Sequence, residues 1–108
     1  MKEIKGDNWT IRIGQNAREN DSLFYTAKAE DLWFHLNSGP SAHVYLIIDN
    51  CSDKMERKRL VHQSANMVRL HSKCAMNAKV VYLERRHLEK PKDSSAGQIY
   101  MKKSGTII

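Results

Sequence analysis

The chain has 108 residues, 41% of them apolar and 28% charged, a balance that excludes an intrinsically disordered segment and leaves room for one modest core rather than two. Eighteen Lys and Arg against twelve Asp and Glu give a formal charge of +6, which favours a polyanionic partner, nucleic acid first and an anionic membrane surface second. No apolar run approaches the roughly 20 residues that span a bilayer, the MKEIKGDNWT start lacks a signal-peptide core, and Cys51 and Cys74 stand at no zinc or framework spacing, so the chain reads as intracellular and cytoplasmic with two unlinked thiols.

In chain order, NWTIRIG alternates Trp9, Ile11 and Ile13 with polar neighbours and predicts a half-buried strand ending at Gly14. The polar QNARENDS reads as a loop or short helical turn in which Asn16 and Asn20 cap or bond nearby backbone. DSLFYTAKAED predicts a short helix with Asp21 or Ser22 as its N-cap. The stretch LWFHLNSGPSAHVYL then predicts a hairpin: Leu32, Phe34, Val44 and Leu46 face the core, and Trp33, His35, His43 and Tyr45 share the other face. A loop from Asn37 to Ser41 sets His35 opposite His43 and Trp33 opposite Tyr45.

From Asp53, an N-cap, to about Met76 the apolar spacing becomes helical. Leu60, Val61, Ala65, Met67, Val68, Cys74 and Ala75 fall on one arc, while Arg59, His62, Asn66, Arg69 and Lys73 make a basic outer seam. AKVVYLE predicts a strand, ERRHLEKPKDSSAG a basic connection ending at Gly97, and QIYMKKSGTII two short β-prone runs with a turn near Ser104 and Gly105. These elements predict an α+β fold over residues 1–108: a mainly antiparallel sheet with one long amphipathic helix and one short helix packed on it.

The histidine pair carries several readings. It would hold a metal if Asp31, Asp49 or Cys51 converged on it, yet no HxH or HExxH spacing is present. Neither a GxSxG elbow, a Walker loop nor a paired-carboxylate signature supports catalysis. In a structural reading, His35 and His43 satisfy buried polar groups through hydrogen bonds. Alternatively the hairpin face meets a polyanion, with Trp33 or Tyr45 stacking, His and Arg donating, and the helix seam, Arg85, Arg86, Lys90 and Lys92 supplying charge.

Three segments in this order, IGQNAREND from Ile13, DLWFHLNSGPSAHVYL from Asp31 and PKDSSAGQIY from Pro91, resemble the NFACT-R domain. That domain is the presumed RNA-binding module of the NFACT proteins of ribosome-associated quality control, and it also occurs in smaller stand-alone proteins. Gly14, Asn16, Asn20, Asp31, Trp33, His35, His43 and Gly97 are the matching positions; Gln15 departs from the pattern, which carries a basic residue there. The sequence holds none of the other domains of full NFACT proteins, so the resemblance implies the stand-alone form rather than a complete tailing factor.

The expectation is a non-catalytic RNA-binding module without metal or cofactor. Its ligand would be tRNA or rRNA, with the ribosome as a candidate partner, DNA left open and no membrane involved. The contacts expected are Arg12, Asn16, Arg18, Asn20, Trp33, His35, His43, Arg59, Arg69, Lys73, Arg85 and Arg86. A protein-interaction module and a metal-dependent nucleic-acid hydrolase stand as alternatives.

Overall fold

Period-2 segments bury their apolar side chains only when each finds a neighbour in register, and here six strands do so in one antiparallel sheet. The computed structural model describes residues 1–49 and 53–108. In chain order the strands are β1 (Lys2–Lys5), β2 (Trp9–Gly14), β3 (Leu32–Leu36), β4 (His43–Ile48), β5 (Val80–Glu84), β6 (Leu88–Glu89), β7 (Tyr100–Met101) and β8 (Thr106–Ile107). The helices are α1 (Ala17–Thr26) and α2 (Lys54–Leu70), with a 3₁₀ turn at Arg85–His87. Strand order in the sheet is β1-β2-β4-β3-β5-β8, and β6 and β7 form a separate ribbon. The hairpin register is the expected one: Trp33 faces Tyr45 and Phe34 faces Val44.

Both faces of this sheet are covered. On one, Leu60, Val61, Ala65 and Val68 of α2 pack against Ile11, Ile13, Phe34, Val44, Leu46 and Val80. On the other, Leu23 and Phe24 of α1, with Leu88, pack against Trp33, Tyr45, Val81 and Leu83. The central strands β3 and β4 are therefore apolar on both sides, as a strand between two helical layers must be. No helix among the described residues is long and apolar enough to cross a membrane.

Local chemistry moves two helix boundaries from where the sequence pattern puts them, and adds a strand that the pattern does not mark. Helix α1 starts earlier than Asp21 because Asn16 is its N-cap: the Asn16 Oδ1 accepts from the Glu19 N–H at 2.9 Å, and the Glu19 carboxylate accepts from the Gln15 N–H, one residue before the cap, at 3.0 Å. Asp53 caps α2 as expected, accepting from the Met55 N–H, but the helix stops at Leu70 rather than near Met76. Its exit is pinned to the sheet, where Ser72 Oγ accepts from the Ala42 N–H at 2.9 Å. Strand β1 has one partly buried apolar residue, Ile4, between charged neighbours, the composition of an edge strand, and so lacks the pattern that marks the others. The expectation of two unlinked thiols falls partly on Cys51, which lies outside the described residues.

Val68 is fully buried where α2 crosses the sheet. Val68→Asp places an unpaired carboxylate there at a cost of several kcal/mol, about the whole stability of a small domain. Loss of the cooperative melting transition is the expected result, with Arg57→Asp, on the exposed side of the same helix, melting within a few degrees of wild type; a folded Val68→Asp protein would refute this packing.

Candidate functional site

The second sheet face carries a polar island inside its apolar layer. Trp33 is 3% exposed and His43 4%, so the indole N–H must find an acceptor within the protein. It donates to His43 Nδ1 at 3.2 Å, which leaves the His43 proton on Nε2. His35 stacks on the indole, ring centroids 5.3 Å apart, and stands edge-on to His43 at 4.8 Å. Its Nδ1 lies 2.6 Å from the Leu36 carbonyl; a carbonyl only accepts, so Nδ1 carries the proton and Nε2 a lone pair. Burial, helped by the neighbouring His35, pushes the His43 ring down to about 3, with Asp21 opposing and Lys90 reinforcing the shift. Burial also lowers His35, partly offset by its bond to Leu36. Both rings are neutral at pH 7.

Trp33, His35, His43 and Val81 floor a cleft of about 790 Å³. One wall is the β3–β4 turn, residues 37–40, and the other is the segment 97–101. That second wall is held from below by Lys90, whose side chain is 6% exposed and whose Nζ sits 3.1 Å from Asp21 of α1. The same ammonium donates to the carbonyls of Ser95 at 3.1 Å and Gln98 at 3.2 Å. Gly97 completes the clamp: its N–H donates to Asp21 Oδ1 at 2.8 Å, and its φ of +82° and the nearness of Ala17 both disfavour a side chain. Tyr100, 47% exposed, is among the lining residues, and its hydroxyl donates to Gln98 Oε1 at 3.2 Å.

The other expected site residues divide by what they already hold. Asn16 caps α1. Asn20 is buried with its Oδ1 unpartnered, pressed so close to Gly14 that a Cβ there would collide with it. Asp31 is buried and accepts from the Lys28 N–H at 2.8 Å; its desolvation raises its pKa. Arg85 donates to the Phe24 carbonyl at 2.9 Å and lies 3.6 Å above the Phe24 ring. Arg69 donates to the carbonyls of Ala78 and Ile108, tying the C-terminal strand to α2.

Arg12, Arg59 and Arg86 pair with Glu3, Glu56 and Glu84 at 2.9, 2.7 and 3.5 Å. Arg59 and Arg69 belong to α2 and hence to the sheet face away from the cleft. Arg18 and Lys73 are exposed, with no ion pair among the described residues. Lys73 lies beside the outer side of the β3–β4 turn together with Lys79, where both line a smaller recess with residues 36–40.

Sequence reasoning misses Lys79, Gln98 and Tyr100 as cleft neighbours, and Lys90 as the clamp. Only the alternation in QIYMKK hints that Tyr100 faces outward. Asp31 and Asp49 are not gathered with the histidines into a metal-ligating group among the described residues, and Cys51 lies outside them.

A family model described as the NFACT protein RNA binding domain matches residues 3–105. Coiled-coil domain-containing protein 25 of Mus musculus is 35% identical over 101 residues, covering 89% of this chain and 48% of that protein. Its counterpart in Danio rerio is 34% identical over 95 residues, covering 83% and 45%. The chain thus spans about half the length of these relatives. Among solved structures, the C-terminal part of the fibronectin/fibrinogen-binding protein from Streptococcus suis superposes with a TM-score of 0.76 at 28% identity, covering 93% of this chain and 40% of that one.

The buried His43 ring links folding to pH. Its folded pKa, about 3, lies below the unfolded value near 6.5, so the unfolded chain binds the extra proton; the stability contribution is complete above about pH 6.5 and is lost as pH falls toward 3. Between pH 7 and pH 5 the loss is about 2 kcal/mol. Urea unfolding at both pH values should show it, and His43→Phe should reduce the difference; an equal pH difference in the variant would assign the effect elsewhere.

Proposed function

Because the chain belongs to the NFACT protein RNA binding domain family, we propose that residues 1–108 form one non-catalytic RNA-binding module acting in the cytoplasm on tRNA or rRNA, in the setting of ribosome-associated quality control. The observation that carries this reading is the family match over residues 3–105. The charge of +6 supports it, since neutralising phosphates and releasing their counterions supplies most of the affinity of such modules.

In this reading the cations act in two ways. Arg69 and Arg85 shape the surface, because their guanidinium groups are already bonded to backbone carbonyls. Arg18, Lys73 and Lys79 contact phosphate, with Arg12, Arg59 and Arg86 joining where RNA displaces their surface ion pairs, which hold them only weakly. Asn16 and Asn20 set the α1 entry beside the cleft, and the Trp33, His35 and His43 face supplies shape recognition. The solved relative is named for binding fibronectin and fibrinogen, which supports a second reading, docking on a protein.

Fluorescence anisotropy with tRNA and an rRNA fragment across a salt series tests the choice. Wild-type affinity should fall steeply with salt, and Lys73→Glu/Lys79→Glu should bind about tenfold more weakly with a shallower salt slope, by roughly one for each phosphate left unneutralised. Neither lysine is buried, so the melting curve should hold. Absence of RNA binding at low salt, or a salt-insensitive affinity, would favour the protein-docking reading.

A further inference from the structure

The cleft is unlike a phosphate site. Its floor holds two neutral imidazoles instead of a cation, and each has one nitrogen already engaged within the fold. The remaining two are complementary: His43 Nε2–H is a donor, His35 Nε2 is an acceptor, and neither has a protein partner among the described residues. The two rings meet edge-on with their centroids 4.8 Å apart, and both line the cleft. The volume of about 790 Å³ falls in the range of small-molecule sites, roughly 300 to 1,000 Å³. Tyr100, half-exposed, is among the lining residues, with its hydroxyl donating to Gln98 Oε1 at 3.2 Å. Lys73 and Lys79, both exposed, lie just across the 37–40 turn.

We propose that this cleft takes one unpaired nucleobase of an RNA strand, hydrogen-bonded along its edge by His35 and His43 and stacked on Tyr100, while the flanking phosphates cross the 37–40 turn to Lys73 and Lys79. This rests on the RNA reading above and narrows its ligand class to single-stranded segments. Every nucleobase carries a donor next to an acceptor on its pairing edge, so the histidine pair selects unpaired over paired bases and does not by itself choose a sequence. A base held in a duplex has that edge occupied and cannot leave the stack without cost.

The test compares three probes at one salt concentration: a short single-stranded RNA, the same strand carrying abasic sugars in its middle, and the same strand in a duplex. Wild type should bind the base-bearing strand about tenfold more tightly than the abasic one, the scale of one stacked base, and more tightly than the duplex. Tyr100→Ala and His35→Phe should each remove most of that preference. His35→Phe keeps a ring against Trp33 while deleting the acceptor; should it fail to fold, Tyr100→Ala, at an exposed position, decides alone. Equal wild-type affinity for base-bearing and abasic strands would overturn the cleft proposal and leave the RNA reading standing. No binding to any of the three would overturn both.

Discussion

An indole N–H carried into the middle of a protein forfeits its hydrogen bond to water, and in this fold the loss is made good by a single acceptor, His43 Nδ1. Much else is arranged around that bond. It requires Trp33 and His43 on the same sheet face of adjacent strands, which the β3–β4 register supplies. It fixes the tautomer of His43, and a ring thus bonded and desolvated stays neutral where an exposed histidine would titrate. Covering the pair requires α1, whose position depends on Gly14 having no side chain where Asn20 packs. A one-residue slip of either strand would bury His35 or His43 among the aliphatics of the α2 face and leave the indole without a partner.

The same layering explains why a basic chain has fewer available cations than its composition suggests. Three of the most promising, Arg69, Arg85 and Lys90, are built into the scaffold. Each donates to backbone carbonyls at the periphery of the fold: the C-terminal strand, the end of α1 and the 91–98 connection. Guanidinium and ammonium groups suit this work because one side chain offers several donors at once. Their substitution would damage shape before it altered any surface potential, so charge reversal at these positions is a poor probe of binding.

What is legible in the sequence follows from how local each signal is. The hairpin's faces can be read because a period of 2 on both sides of a Gly-Pro loop puts Leu32, Phe34, Val44 and Leu46 on one side, and a loop from Asn37 to Ser41 then gives the observed register. Asp53 as a cap is equally plain. Asn16 is harder to prefer over Asp21 and Ser22, although the spacing from Asn16 to Glu19 is a capping signature; its helix opens with ARENDS, whose polarity resembles a loop. The basic seam of α2 is visible as a helical stripe, but a stripe does not disclose that Arg69 turns back to bind Ile108, which is 39 residues away. Lys90 is harder still: in a run of lysines nothing local distinguishes the one that folds inward onto Asp21, because that depends on a helix 69 positions earlier in the chain.

Neutral histidines inside and lysines outside divide attraction from recognition. Long-range attraction of a polyanion would come from the exposed lysines and weaken with ionic strength, because exposed charges are screened over roughly 8 Å at physiological salt. Hydrogen bonds from uncharged rings in a sheltered cleft carry no net charge to screen. The two contributions also differ in rigidity: Lys73 and Lys79 sit on long flexible stems that can follow a moving backbone, whereas His35 and His43 are fixed by bonds to Leu36 and Trp33. A ligand would therefore be drawn in by groups that tolerate many geometries and held by groups that accept few. In the proposed reading, the groups that touch the base are uncharged, and the charge that attracts the strand stays in water.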